Sequence, residues 1–528
     1  MAGRERPVPE VPEREGEMLA RVRSGAVSGI RCVPVRVEVH LASGIPSMSV
    51  VGLPQSAVKE GRDRVRAALA HTGFRFPPRR ITVNLAPADL KKDGSGFDLP
   101  LALGLLVAAG DLPREVLEAR AFVGELGLDG RLRPVRGTLA IARSCRPEGV
   151  HTFIVPRENG KEAAAADPGL RVLGASSLGE VMDHLKGTRR LARVKAPEVG
   201  SGFDEVDLDL AEVRGHQGVK RALEVAAAGA HNVLMMGPPG SGKTMLARRL
   251  PGILPPLERE EALEVTTIHS VAGLLAGEAG VVRARPFRAP HHSVSRAGLA
   301  GGGRPVRPGE ISLAHQGILF LDELPEFSRS VLETLRQPME SGWISVVRAR
   351  ERVRFPARFT LVAAMNPCPC GHLTDPDRPC TCDPTQVARY RGRISGPLKD
   401  RIDLHLEVAP VPYTHLREGA PGERAEVVRR RVVAARVRQH RRLGPGRVNA
   451  TMTPAQLERH AAPDSAGDEL LHGAARSLGF SARGVHRVLK VARTIADLEG
   501  SERVVRSHLA EAIQYRILDR QSAVASPR

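Results

Sequence analysis

The 528 residues exceed what one hydrophobic core fills and imply about three domains of the usual ~100–200 residues each. Lys and Arg number 78 against 59 acids, a formal charge of +19, and the aromatic side chains are few (12 Phe, 3 Tyr, 1 Trp); this balance favours a polyanionic partner such as nucleic acid, although an Arg-rich proteome would give it too. The longest apolar stretch, "LPLALGLLVAAG" (99–110), falls short of the ~20 residues that cross a bilayer, which excludes a membrane-spanning class.

Residues 1–17, "MAGRERPVPEVPEREGE", alternate charges with prolines and read as a disordered tail, neither signal nor transit peptide, so a cytoplasmic protein is expected. From Ile30 the stretch "IRCVPVRVEVHL" places Val33, Val35, Val37, Val39 and Leu41 at strict period two, a half-buried strand. "RRITVNLAP" repeats the pattern with Ile81, Val83 and Leu85. Between them "SAVKEGRDRVRAALAHTG" spaces Val58, Val65 and Leu69 at helical intervals and stops at Gly73. These elements predict an α/β domain over 18–190, followed by a charged, Gly- and Pro-rich linker over 191–205. Strands and helices alternate again over 206–420, as in a parallel-sheet α/β domain; 421–520 is helical in pattern, and 521–528 is a tail.

Within the second α/β segment, "NVLMMGPPGSGKTMLARRL" reads as an apolar strand, a turn of Gly237, Pro238, Pro239, Gly240, Ser241 and Gly242, and a helix start. That is the context of a phosphate-binding Walker A loop. Its glycines let backbone N–H groups approach phosphates, Lys243 reaches the β/γ oxygens, and the Thr244 hydroxyl suits Mg²⁺. Seventy-nine residues after Lys243, "GILFLDELPEF" ends an apolar strand in Asp322, placed to hold Mg²⁺, and Glu323, placed to polarise the attacking water. A third strand, "FTLVAAMNP", delivers Asn366 to the same edge, where a neutral amide orients water without adding like charge. Together these describe an ATPase.

Two further segments carry charge or sulfur. "ESGWISVVRARERVRFPARFT" reads as a β-hairpin with Arg348, Arg350, Arg352 and Arg354 on one extended face, either tracking DNA phosphates or decorating an edge strand against aggregation. The run 423–447 holds nine arginines against two glutamates and suits an amphipathic helix, its charges a DNA contact or a wet face. Four of the six cysteines, Cys368, Cys370, Cys380 and Cys382, fall within "NPCPCGHLTDPDRPCTC". In a reducing compartment they fit a tetrahedral structural Zn²⁺ site, with His372 able to replace one thiolate; a packed cluster of reduced thiols or a redox centre are the alternatives.

The segments "GPPGSGKTMLARRLPGILPPL", "RPFRAPHHSVSRAGLAGGG", "PGEISLAHQGILFLDELPEF", "LVAAMNPCPCG" and "ISGPLKDRIDLHLEV" resemble the ComM/YifB family of magnesium-chelatase-like AAA+ ATPases, over about 18–520. The resemblance implies a Lon-protease-like α/β N-terminal domain, an AAA+ P-loop parallel-sheet core and a C-terminal helical lid. It further implies a homo-hexameric ring that hydrolyses ATP with Mg²⁺ and binds DNA, as a branch-migration helicase of natural transformation does. Lys243 and Thr244 match the Walker A pair, Asp322 and Glu323 the Walker B pair, and Asn366 sensor 1. Arg401 matches the arginine finger aimed at a neighbour's ATP, and Arg483 sensor 2 in the lid; each also fits a plain surface salt bridge. Val213, Gly215 and His216 match the segment that packs on adenine. In the Lon-like region Gly96 stands where the protease has its catalytic serine, with Ser95 one position off, and Leu139 where it has its lysine, so peptide hydrolysis is not expected. The motor subunit of a metal chelatase shares the core and is the alternative function.

Overall fold

The structure is a computed structural model; it describes residues 18–53, 56–74, 76–88, 92, 94–197, 208–275, 280–348, 351–412, 417 and 422–516. The expected tails 1–17 and 521–528, and residues 198–205 of the expected linker, lie outside these. Two compact units divide the chain: Met1–Val199 with Thr266–Val282, and Gly200–Val265 with Arg283–Arg528.

The first unit is a seven-stranded mixed sheet in the order Ser47–Val51, Arg80–Ala86, Arg31–Ala42, Met18–Ser28, Arg120–Phe122, Thr152–Pro156, Arg171–Ala175. The period-two pattern acts as expected: Val35, Val37, Val39 and Leu41 are buried, while the alternate Arg36 faces solvent. Their buried face packs on the helix Asp98–Ala109, whose continuous apolar run is buried on every side but its last residue. Gly110 ends that helix at φ 87° and returns its N–H to Leu106 and Val107. The helix Ser56–His71 buries Val58, Val65 and Leu69 against it. Residues 192–194 continue this unit along its last strand, Val194 donating to the Val172 carbonyl at 2.9 Å.

The second unit is built on a five-stranded, all-parallel sheet in the order Phe287–Arg288, Ile318–Leu321, Thr360–Met365, Val233–Met236, Leu404–Glu407. The four residues of Val233–Met236, the four of Ile318–Leu321 and the six of Thr360–Met365 are all buried, as strands covered on both faces require. Helices Ala425–Leu443, Pro454–His460, Ser465–Leu478, Ala482–Glu499 and Arg506–Gln514 follow, and Val432, Val491, Ile495 and Leu509 share one core with Val233 and Met235. Among the described residues no helix is long and apolar enough to cross a membrane.

Asp98, at the start of its buried helix, is gripped by Arg64 (Nε to Oδ2 2.7 Å) and accepts from the Leu126 N–H at 3.2 Å. Burial pushes its carboxyl up to about 6, against the opposing pull of Arg64 and Leu126. Its folded value lies above the ordinary 3.8, so the stabilisation tied to its protonated form is complete below that value and lost as pH rises through about 6. The Asp98→Asn variant is therefore expected to show a flatter pH dependence of first-unit thermal unfolding between these pH values than the wild type. Parallel curves by calorimetry would contradict it.

Candidate functional site

Three adjacent parallel strands deliver their C-terminal ends to one edge. Met236 pairs with Met365, and Leu321 with Ala363, so Gly237, Asn366 and Asp322 leave the sheet side by side. Gly237 is demanded by close approach, since a Cβ there would strike the Val408 carbonyl oxygen. Gly242, at φ 87°, turns the chain into the helix Lys243–Arg249. The Lys243 ammonium donates to the Gly237 carbonyl (2.7 Å), the Pro238 carbonyl (2.9 Å) and Asn366 Oδ1 (3.3 Å). Burial lowers its pKa below the ordinary lysine value, opposed by Asp322 and Glu323.

The Thr244 hydroxyl donates to Asp322 Oδ2 at 2.7 Å, and the Glu323 N–H to Asp322 Oδ1 at 3.0 Å. A hydroxyl beside a carboxylate is the hard-oxygen donor set that Mg²⁺ takes, and the glycine turn fits phosphate. Glu323 adopts the left-handed φ of 52°, at a cost on the order of 1 kcal/mol for a residue with a Cβ. Its exposed carboxylate stands 3.5 Å from His292 Nδ1.

Beside this edge lies a cleft of 450 Å³ lined by Gly215, His216, Val411, Gln514 and Tyr515 among others. Val213 is fully buried, and its carbonyl accepts from Lys220 Nζ. Val411, Gln514, Tyr515 and His292 escaped the sequence reading; the one signal was "LHLEVAPVP", a strand running into prolines next to the P-loop strand.

Arg401 sits at the opposite edge of the sheet. Leu404, three residues on, pairs with Val233 at the start of the P-loop strand, and the Asn232 amide donates to the Arg401 carbonyl at 3.1 Å. A four-residue strand, ~13 Å long, therefore separates that edge from Lys243. The Arg401 guanidinium, 8% exposed, pairs with Glu340 and donates to the Pro397 carbonyl at 2.6 Å, leaving a buried Nε without a hydrogen-bond partner. Arg483 is exposed in the first turn of Ala482–Glu499. One turn later Arg487 pairs with Asp403, two residues after Arg401. Glu340, Asp403 and Arg487 line a second cleft, of 520 Å³.

Trp343–Arg348 and Glu351–Pro356 form the expected hairpin, with Ile344, Val346, Val353 and Phe355 buried and Arg352 and Arg354 exposed on the other face. The Arg348 side chain and Arg350 lie outside the described residues. Of the nine arginines over 423–447, five hydrogen-bond within the unit: Arg429, Arg431, Arg436, Arg438 and Arg442. In the first unit a Cβ on Gly96 would stand 3.0 Å from Val123 Cγ2, the Ser95 hydroxyl donates to Glu125, and Leu139 is fully buried.

The four clustered cysteines converge. Cys368 Sγ lies 3.3 Å from that of Cys370 and 3.7 Å from that of Cys380, and all four sulfurs lie within 4.8 Å of one another. Backbone N–H groups of His372 and Thr381 lower the Cys370 thiol well below the ordinary cysteine value. Four sulfurs so disposed fit one tetrahedral Zn²⁺. His372 Nδ1 is instead 2.9 Å from Asp375.

Comparison with known proteins agrees with this architecture. The family described as "Magnesium chelatase, subunit ChlI" matches residues 209–416, "Subunit ChlI of Mg-chelatase" matches 37–159, and "Magnesium chelatase, subunit ChlI C-terminal" matches 422–516. A mixed α/β chain with a parallel sheet and a helical C-terminal region on these matches is an ATPase-type enzyme of the magnesium-chelatase-like AAA+ class. The chain is 45% identical over 508 residues to the uncharacterized protein YifB of Salmonella typhimurium and, over the same length, to the competence protein ComM of Haemophilus influenzae, covering 95% of itself and 98% of each. It is 29% identical over 227 residues to the magnesium-chelatase 67 kDa subunit of Heliobacterium mobile, covering 38% of itself and 31% of that protein. The chain belongs to the ComM/YifB family of magnesium-chelatase-like proteins.

The three acceptors on Lys243 generate a direct expectation. Lys243→Ala should weaken a fluorescent ATP analogue about 100-fold, a loss of ~3 kcal/mol of charged hydrogen bonding. Unchanged circular dichroism with wild-type affinity would remove Lys243 from the site.

Proposed function

We propose that the chain is an ATP-hydrolysing motor that works as a homo-hexameric ring, binds DNA and translocates on it, as a branch-migration helicase in natural transformation or recombination. The observation that carries this reading is the separation of Arg401 from Lys243 across the sheet. An arginine on the far edge cannot reach its own chain's phosphates, so it serves a neighbour's, and each site is complete only in a ring. In this reading 206–420 is the AAA+ core and 421–520 the lid. The segment 18–190, within the first unit, is a Lon-protease-like domain without its dyad, a ring-building or DNA-contacting platform.

Gly237, Pro238, Pro239, Gly240, Ser241 and Gly242 cradle the phosphates, and Lys243 neutralises the β/γ oxygens. Gly215 and His216, from the wall of the 450 Å³ cleft, hold adenine, with Val213 packed behind them. Thr244 and Asp322 would hold Mg²⁺, which when bound offsets phosphate charge. Glu323 accepts a proton from the attacking water, and Asn366 orients that water. Arg401 delivers its guanidinium after exchanging Glu340 for a neighbour's γ-phosphate, and Arg483 contacts phosphate from the lid. Arg352 and Arg354, with Arg348 and Arg350 of the same hairpin, track the DNA backbone. Cys368, Cys370, Cys380 and Cys382 hold a structural Zn²⁺.

The motor subunit of a metal chelatase is the second reading, favoured by the family descriptions. Against it, the chelatase relative covers 38% of this chain, whereas ComM covers 95%. ATPase stimulation by single-stranded and forked DNA is expected, and none by chelatase partner subunits; the reverse result selects the second reading.

Arg401→Ala should keep nucleotide binding and lose about 10³-fold or more in turnover. Mixing it with Lys243→Ala should restore part of the rate, because each variant supplies what the other lacks; full activity of Arg401→Ala alone would end the ring assignment. Removing both Arg352 and Arg354 should lower the slope of log affinity against log salt by about 1.5, at ~0.7–0.9 per phosphate contact. An unchanged slope would take the hairpin out of the DNA site.

A further inference from the structure

The cysteine loop touches the phosphate-binding loop at two points. At its start, Asn366 Oδ1 accepts from Lys243 at 3.3 Å. Five residues on, Gly371, buried and at φ 89°, lies against the tip of the P-loop: a Cβ there would sit 2.6 Å from Pro239 Cδ and 2.8 Å from Cγ. Cys368 and Cys370 lie between these two contacts. On the far side, Arg391 Nε, from the helix Pro384–Gly392, donates to the Pro367 carbonyl at 3.0 Å.

The nine residues between the cysteine pairs have little apolar burial to hold them. Leu373, the one large aliphatic side chain among them, is 42% exposed, and Pro376, Asp377, Arg378 and Pro379 face solvent. Such a segment does not fix Gly371 by its own packing. The sulfurs can fix it. The separations of 3.3–3.7 Å among the sulfurs of Cys368, Cys370 and Cys380, with that of Cys382 within 4.8 Å of each, exceed the ~2.05 Å of a disulfide and bracket the ~3.8 Å edge of a ZnS₄ tetrahedron with 2.3 Å bonds. The Cys370 N–H donates to Cys382 Sγ at 3.4 Å, so one backbone group also crosses between the two arms, while the Cys382 N–H donates to Cys380 Sγ at 3.4 Å within the second arm.

We infer that the four-cysteine knot is a metal-dependent clamp on the nucleotide site: closed on Zn²⁺, it seats Gly371 against Pro239 and Asn366 against Lys243, and so holds the P-loop ready for the triphosphate. The inference rests on the zinc assignment above and adds the coupling. Coupling between two sites is reciprocal, so Zn²⁺ must raise nucleotide affinity and nucleotide must tighten Zn²⁺ by the same factor.

The test uses the full chain purified without chelator. Metal analysis is expected to give about one zinc per chain. Affinity for a fluorescent ATP analogue with Mg²⁺ is then compared in loaded, chelator-stripped and zinc-reloaded protein. Stripping is expected to weaken binding about tenfold, within the usual range of inter-site coupling, with recovery on reloading. Saturating nucleotide should slow zinc transfer to a chromogenic chelator. Gly371→Ala, which keeps all four sulfurs, should retain zinc yet lose nucleotide affinity; should it lose zinc too, the stripped and reloaded wild type decides. About one zinc per chain with equal affinity before and after stripping overturns the clamp and leaves the zinc site standing. No zinc, with four freely reactive thiols, overturns both.

Discussion

The register of three parallel strands is the constraint on which the second unit depends. Thr360–Met365 runs between Val233–Met236 and Ile318–Leu321, fully buried, and its end sets Asn366 between the lysine of one neighbour and the acid of the other. A slip of one residue would turn every side chain of the strand to the opposite face and carry Asn366 ~3.3 Å along the sheet, beyond reach of Lys243. The apolar runs "NVLMM", "ILFL" and "TLVAAM" hold that register because they have nowhere to go but a sheet covered on both faces. Chemistry at the edge is thus a consequence of packing inside it.

Charge inside the unit is committed in the same way. Asp403 is fully buried; burial opposes its ionisation, yet Arg487, His231 and the Asn232 N–H hold it well below the usual carboxylate range. Asp497 is shared by Arg442 (2.7 Å), Arg493 (2.9 Å) and the Asn449 amide (2.8 Å), which ties three elements of the C-terminal helical region together. Removing one member of such a set strands the others without water, so these pairs fix geometry more than they add stability. The helical region is also bonded to the strands: His231, just before Val233–Met236, meets Thr494 of the helix Ala482–Glu499 at 2.7 Å.

Much of the candidate site was legible in the sequence because its residues answer local demands. Gly237 and Gly242 are required by backbone approach and by a left-handed φ, and Asp322 and Asn366 by being the first polar residues after buried strands. What was illegible depends on contacts distant in sequence. Nothing in "TTIHSVAGLLAGEAGVV" announces that Thr266–Val282 joins the first unit, where Ser270 bonds Glu162. Glu340 reads as an ordinary helix-end acid until the chain brings Arg401 to it, 61 residues later. The 450 Å³ cleft draws on Val411 and Tyr515, which lie more than a hundred residues apart and belong to no motif.

The basic run 423–447 illustrates how charge patterns mislead when read without the fold. Its arginines bond the Gly252, Ala227 and Asp497 carbonyls and the Glu224 and Asp497 carboxylates, so half the run is the seam between the helix Ala425–Leu443 and the rest of its unit. A guanidinium held on a carbonyl or carboxylate of its own unit has fewer N–H donors left to offer a phosphate. The hairpin differs in kind. Its apolar face, Ile344, Val346, Val353 and Phe355, is buried, which leaves Arg352 and Arg354 projecting from a two-stranded ribbon. Charges that face outward can meet an anion directly, whereas charges in a seam must first be released. Of the two basic segments, the hairpin is the one built to be read from outside.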